Sequence, residues 1–438
     1  MIRRTFQKYK NDKEFRDTIN SSFTSLLIRM AGMFTGFLAT VITTRFFGTS
    51  ALGIVAICLG VLSFAVIVGK LGFDVSLLRY IADFSAKNNY AAVKGVFLKA
   101  LKVIVPVCIL LTVVLFFSSE WLATTIFRKE GLTRVIQYSS FFVLPLVLLT
   151  VNSESLRGLK KINLYTFYQT TAVSAFVTIL LIVFVFFDTG HHIPVYIQFV
   201  CIGMASVFSF ISFMRHSAFT KHNSSTELSV NDLLHSSTPI MITTIMQLMM
   251  SWAGTLILAA YVTETDVGIY SALIRISTFT TITVLAVNSG MMPKFAIAHS
   301  TGNKDELKQL AGNSVRIIFF SALPIFILLA AFPELVLNLF GKDFSGHEMA
   351  LYILLAGQFF VVCSGLPAQI LNMTDKQHLM RNISIVSAIF NVLFCFMLIP
   401  SYGIIGACIA QVIGMVVWNI LCIFIVYCKL GFFTFFRF

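Results

Sequence analysis

The stretch Ala51-Leu52-Gly53-Ile54 returns 215 residues later as Asp266-Val267-Gly268-Ile269, and the same offset holds far beyond these four positions. It sets Arg79-Tyr80 on Lys294-Phe295, lays Ser85 to Lys94 over Ser300 to Gln309 with Asn88 on Asn303, and matches Lys161 and Leu164 to Lys376 and Leu379. Ile202-Gly203-Met204 then matches Ile413-Gly414-Met415 at an offset of 211, which a loop four residues shorter in the second half accounts for. One offset kept through three loops marks two copies of one unit.

What the unit is follows from composition. Of 438 residues 57% are apolar and 12% charged, with 45 phenylalanines and a mean hydropathy of +0.88. Soluble chains carry about 25% charged residues, so this one cannot coat a globular surface, and a soluble multi-domain enzyme is excluded. Apolar runs long enough for a helix to cross the hydrocarbon fall near 22–47, 51–71, 95–118, 138–158, 164–187, 194–214, 237–262, 267–293, 313–337, 349–372, 380–400 and 403–428. The expected fold is an all-α polytopic membrane protein, with twelve transmembrane helices in two pseudo-symmetric six-helix lobes around a central cavity. Six spans per copy is an even number, so both copies run the same way and the axis relating them lies along the membrane normal. The expected divisions are a basic N-terminus (1–21), lobes at 22–214 and 237–428, a polar linker (215–236) and a short C-terminal tail (429–438).

The net charge of +13 reports topology rather than nucleic-acid binding, because the basic residues sit in short gaps between apolar runs. Counting the termini and the even-numbered gaps as one side places 25 Lys and Arg there and 4 on the other, with Arg29, Arg45 and Arg275 inside spans. Both termini are therefore expected in the cytoplasm. The eight cysteines lie in or beside apolar runs without CxxC spacing, the histidines form no HExxH, and no GxxxxGK[ST] loop occurs. No metal, cofactor or ATPase chemistry is expected. No cleavable signal peptide is expected either, since residues 1–20 are polar and basic.

Polar side chains inside spans then become the candidates, because a charge at the bilayer centre costs about 2.5–3.5 kcal/mol even on the lenient insertion scale. Arg29 heads a small, polar stripe through Gly32, Gly36, Thr40 and Thr43 in the first span, although Gly32 and Gly36 also fit close helix packing. Ser271, Arg275, Thr278 and Ser289 share a face of the eighth span. Thr244, Gln247, Ser251 and Thr255 form a third stripe in the seventh. The repeat puts Thr244 opposite Arg29 and Gly60 opposite Arg275, so the shared scaffold requires neither arginine. Arg79 and Lys294, by contrast, are equivalent and sit at a membrane edge, as snorkelling anchors do. Asn152 and Glu154 are placed near the cytoplasmic mouth, with an internal Glu154 to Arg157 pair as the equal alternative. The candidate substrate-binding set is thus Arg29, Arg275, Thr40, Gln247, Ser251, Ser271, Thr278, Glu154 and Asn152. Cations beside hydroxyls and amides suit an anionic, hydroxyl-rich substrate. Export of a double negative charge against 100 mV, inside negative, would itself release about 4.6 kcal/mol.

The stretch from Arg29-Met30-Ala31-Gly32 through Thr44-Arg45-Phe46-Phe47-Gly48-Thr49-Ser50-Ala51-Leu52-Gly53 resembles the polysaccharide-export branch of the multidrug/oligosaccharidyl-lipid/polysaccharide exporter superfamily. So does Ser387 to Ala410, with Asn391, Pro400-Ser401-Tyr402-Gly403 and Gly406-Ala407. The resemblance runs along essentially the whole chain and is greatest to O-antigen flippases. It implies a non-enzymatic flippase of the bacterial inner membrane that moves an oligosaccharide repeat unit on undecaprenyl pyrophosphate, as in lipopolysaccharide biosynthesis. It also implies Arg29 and Arg275 in the cavity wall, and membrane lipids, polysaccharide polymerase and chain-length machinery as partners. The alternatives are a multidrug or cation antiporter of the same superfamily, whose ion-binding carboxylate only Glu154 would supply, and a membrane-embedded glycan polymerase or ligase. The latter would need a larger outer loop than Ser119 to Gln137.

Overall fold

The computed structural model describes residues 13–187, 190–217, 230–374 and 376–436, so most of the linker and the first residues of the basic N-terminus lie outside the described chain. Among the described residues there is no strand. Among the described residues nine helices are long and apolar enough to cross a membrane, and counting each of two bent helix pairs as one span brings the candidates to eleven. One of the nine, Gln377–Leu430, is itself a hairpin. Gly403 leaves helical geometry at φ 54° and ψ −127°, and Asn391 Nδ2 donates to Ala410 O at 3.1 Å across the bend. Divided there, the described residues give twelve such segments, consistent with the twelve spans expected from the sequence.

We label these α1 (Lys13–Ile42), α2 (Thr49–Lys70), α3 (Tyr90–Trp121), α4 (Leu132–Ser140 with Val143–Gly158) and α5 (Ile162–Phe184). The remainder are α6 (Ile193–His216), α7 (Val230–Tyr261), α8 (Glu264–Ser300), α9 (Lys304–Ala331), α10 (Glu348–Ser364 with Pro367–Met373), α11 (377–402) and α12 (404–430).

Several bounds differ from those read off hydropathy. α1 is already helical at Lys13, the first described residue, because 13–22 contains no glycine or proline to stop it at the edge of the apolar stretch. α7 likewise takes in 230–236, the end of the expected linker. A further helix, Phe73–Ala86, leaves α2 at the left-handed pair Leu71 and Gly72 (φ 49° and 75°). Its counterpart in the second half stays joined to α8, since Leu71 and Gly72 fall at the 215 offset on Ala286 and Val287, inside the unbroken helix Ile282–Ser300. Both halves then restart on an asparagine cap. Asn89 Oδ1 accepts from Ala92 N and Asn303 Oδ1 from Glu306 N, each at 3.0 Å, which pairs Asn303 with Asn89 rather than Asn88.

The repeat is written most plainly where α2 meets α8. A Cβ on Gly53 would run into Glu264 O, and one on Gly268 into Thr49 O. These four residues are two pairs at the 215 offset, so each contact is the image of the other. Such an approach demands glycine twice. α8 is anchored beside it by a capping box, in which Thr263 Oγ1 accepts from Asp266 N at 3.3 Å and Asp266 Oδ2 from Thr263 N at 3.1 Å, an arrangement worth about 1 kcal/mol.

Around this crossing the two halves are tied together on the face opposite the chain ends. Arg45 donates through Nε to Leu339 O and through Nη2 to Asn338 O, both at 2.8 Å. Thr49 Oγ1 donates to Asp343 Oδ2 at 2.8 Å, and Lys129 Nζ to Ala259 O. Phe37 sets its ring edge-on to Phe340 and Phe279 at 5.2 and 5.1 Å. Below, we call this assembly the closure.

Candidate functional site

From Gly268 the eighth helix continues seven residues, about 10 Å at 1.5 Å per residue, to Arg275. Here α2 and α8 no longer touch as mirror partners. Between them and α1, α5, α6 and α7 lies a cavity of about 510 Å³. Its polar wall is Thr40 and Thr43 of α1, Thr170 and Ser174 of α5, Gln198 of α6, Ser251 and Thr255 of α7, and Ser271, Arg275 and Thr278 of α8. Among the described lining residues Arg275 carries the only charge, and none is acidic.

Arg275 is held by one edge. Its Nη1 donates to Gly36 O at 2.8 Å and to Thr40 Oγ1 at 2.6 Å, while Thr40 Oγ1 in turn donates to Gly36 O at 2.9 Å. The guanidinium lies against α1 at Gly36, where a Cβ would sit in ordinary contact 3.7 Å from Cζ. Nε and Nη2 have no partner among the described residues, and the side chain stays open to the cavity. A guanidinium has five N–H donors in a planar fork; two are spent on seating it and the remainder face the polar space.

The neighbouring hydroxyls are satisfied within their own helices. Ser251 donates to Gln247 O at 3.0 Å, Ser271 to Val267 O at 2.8 Å and Thr278 to Arg275 O at 2.9 Å. These three hydroxyl donors are spent locally, yet each oxygen still accepts.

The structure therefore gathers Arg275, Thr40, Ser251, Ser271 and Thr278 into one wall. Gln247 lines a second cavity that shares Ser251 with the first. Arg29 does not line the cavity; it lies toward the chain-end face, close enough to Tyr165 for their charges to interact. Asn152 is wholly buried and donates to Ser209 Oγ at 3.1 Å, joining α4 to α6. Glu154 takes the internal alternative, pairing with Arg157 at 3.4 Å, and Arg157 also lies 5.1 Å over the Tyr165 ring.

Three features of the wall escaped sequence reading. The stripe Thr166, Thr170, Ser174, Thr178 repeats every four residues on α5 and was available as a signal. Part of it binds α1 backbone: Ser174 Oγ donates to Gly32 O at 3.2 Å and Thr178 Oγ1 to Thr35 O at 2.8 Å. Gln198 and Trp252, each alone on an apolar helix, gave none. The two glycines of the GxxxG also separate: a Cβ on Gly32 would meet Thr170 O at 2.6 Å, which is helix packing, whereas Gly36 offers its backbone oxygen to Arg275 and has room for a Cβ.

A bundle of membrane-length apolar helices around a polar, singly charged cavity is the architecture expected of a transporter, and comparison with known proteins places it. The family model described as "Polysaccharide biosynthesis protein" matches residues 19–299, and the MatE model matches 239–397. The first covers more than half of the chain, which belongs to that family, the polysaccharide-flippase branch of the exporter superfamily. An uncharacterized membrane protein of Methanocaldococcus jannaschii is 23% identical over 386 residues, 81% of this chain and 73% of that protein. The probable low-salt glycan biosynthesis flippase Agl15 of Haloferax volcanii is 23% identical over 172 residues, 39% of this chain and 36% of the relative. Among solved structures, an inward-facing multidrug resistance MATE family transporter of the MOP superfamily superposes with a TM-score of 0.77 at 15% identity, covering 94% of this chain and 98% of that one. The lipid II flippase MurJ in an inward closed conformation gives 0.73 at 14%, covering 93% and 87%. These likenesses establish the fold, and those among them that carry a functional name are described as flippases or transporters.

Proposed function

We propose that the chain moves an anionic, lipid-linked oligosaccharide across the membrane, with the diphosphate held by Arg275 and the glycan by the hydroxyl and amide wall. The carrier is a polyprenyl pyrophosphate, undecaprenyl in a bacterium, and the glycan is an O-antigen or related surface-polysaccharide repeat unit. Both termini lie in the cytoplasm, and transport runs from the inner to the outer leaflet. The observation that carries this reading is the half-used guanidinium in a cavity without a carboxylate. A cation or drug antiporter needs negative charge where its cargo sits, and the described wall has none. Arg29, nearer the chain-end face, meets the headgroup first, and Arg275 receives it. Units 22–214 and 237–428 rock about the Gly53–Gly268 crossing, and with the closure formed the cavity faces the cytoplasm. The prenyl tail stays in lipid, since a wet cavity gives an apolar chain nothing.

The test is glycan export in cells lacking their own flippase. Arg275→Ala should abolish export with protein levels near normal, and Arg275→Lys should keep part of it, because a point charge survives while the planar fork is lost. Full export by Arg275→Ala would reject the assignment. Export of cationic dyes in place of glycan would favour the antiporter.

A further inference from the structure

The second cavity, about 350 Å³, lies within the second half between α7 and α12. It adjoins the first at Ser251, which lines both. Its wall brings together three carboxamides, Gln247, Gln411 and Asn419, with the indole of Trp418. None of its described lining residues is charged. Gln411 Oε1 is buried without a hydrogen-bond partner, an arrangement that native interiors avoid unless something else fills it. Asn419 is fixed in place by donation from Nδ2 to Met415 O at 2.9 Å.

The repeat shows that the scaffold does not ask for these groups. At the 211 offset Gln411, Trp418 and Asn419 fall on Val200, Val207 and Phe208, apolar side chains that are 42%, 58% and 46% exposed on the outside of the first half. At 215 Gln247 falls on Gly32, which is closed against α5. An uncharged polar chamber has been built in one half only, at the edge of the cavity that holds Arg275.

We propose that this chamber binds a neutral sugar of the lipid-linked glycan and gives the protein its preference among glycans. Each carboxamide presents a donor and an acceptor side by side, which is what a hydroxyl or acetamido substituent on a pyranose requires. An indole face covers the C–H face of the ring, and its N–H adds a donor. Gln411 Oε1 accepts from a sugar hydroxyl. A site that hydrogen-bonds a hydroxyl discriminates far more strongly than an apolar pocket, because analogues lacking that group leave its polar atoms unpaired. With no cation in the wall, a uronic acid gains nothing here. The proposal rests on the reading of Arg275 as the diphosphate site, and its test must separate the two.

The experiment measures binding to the full-length protein in lipid nanodiscs, using undecaprenyl pyrophosphate bare, bearing N-acetylglucosamine and bearing glucuronic acid. The wild type should bind the N-acetylglucosamine form about tenfold more tightly than the bare carrier, and the glucuronic acid form no more tightly. Trp418→Ala and the near-isosteric Gln411→Met should bring that ratio to about one, with the bare carrier bound as in the wild type. Arg275→Ala should weaken all three probes together. A ratio of one in the wild type, or a ratio unchanged in both chamber variants, overturns the sugar site. Loss of the ratio in the chamber variants with Arg275→Ala binding the bare carrier normally would instead retain the sugar site and reject the diphosphate site.

Discussion

At one end of the α2–α8 pair, Gly53 rests on Glu264 and Gly268 on Thr49, each contact the image of the other. One helical stretch further in, the images part: Gly60 faces Trp252 and Leu256 of α7, while its counterpart Arg275 reaches across to Gly36 and Thr40 of α1. The same two helices thus carry a symmetric end that joins the halves and an asymmetric end that lines a cavity. Duplication supplies the first, since a contact that serves one copy serves its image. Divergence supplies the second, because a single substrate is not two-fold symmetric. The chamber at Gln411 and Trp418 follows the same rule.

The largest expected effect lies at the symmetric end. Gly53→Leu or Gly268→Leu would place a side chain where backbone already sits, and overpacking of this kind costs about 1–3 kcal/mol or more. Transport should vanish and the thermal transition of the purified protein should fall. Gly60→Ala, whose new methyl meets mainly the movable Leu256 Cδ2 at 2.8 Å, should keep most transport. Equal damage at both positions would erase the distinction between the ends.

A smaller change should follow from Arg45→Ala. Two charge-assisted hydrogen bonds to Asn338 and Leu339 are lost, but they lie near solvent and are screened. The open fraction of the closure, read from the distance between spin labels across it, should rise about threefold, with binding at Arg275 retained. No change in that fraction would remove Arg45 from the closure.

The smallest effect concerns pH. Burial pushes the Lys129 ammonium below its ordinary range, against the upward pull of Glu264 and Asp266. A lysine so depressed in the closed form binds fewer protons there than in the open or unfolded form. The closure should therefore gain stability as pH rises through the depressed value toward the ordinary lysine range, and lose it as pH falls back. Lys129→Met should flatten this slope, measured as the thermal transition against pH.

Much of this was legible in sequence because repeats and hydropathy are one-dimensional. The 215 offset located Gly53 and Gly268 before any geometry was known, and the absence of an equivalent marked Arg275 as special. Depth along a helix was legible too, at 1.5 Å per residue. Which way a side chain turns was not. Asn152 is expected at the cytoplasmic mouth of the path, yet it spends its amide on Ser209 inside the first half. Glu154 is absorbed by Arg157, and Arg29 stands off the described wall. Gln198 is a single amide on an apolar helix and Gln411 shares one only with Asn419, and only packing of distant spans brings them to cavities. The α1 extension escaped hydropathy because polarity alone does not stop a helix, and the α7 extension because the helix carries on through Pro239.

The central claim is that the closure and the Arg275 cavity are two ends of one alternating device, so that locking the first must stop the second from delivering its cargo. Thr49 and Asp343, joined at 2.8 Å across the two halves, offer the place to lock it. Thr49→Cys with Asp343→Cys should be bridged by a short dithiol crosslinker in proteoliposomes, with the exposed Cys428 replaced. The account predicts that bridged protein binds polyprenyl pyrophosphate-linked glycan as the wild type does, moves none of it between leaflets, and recovers on reduction. Translocation at the unbridged rate while the bridge is intact would contradict it.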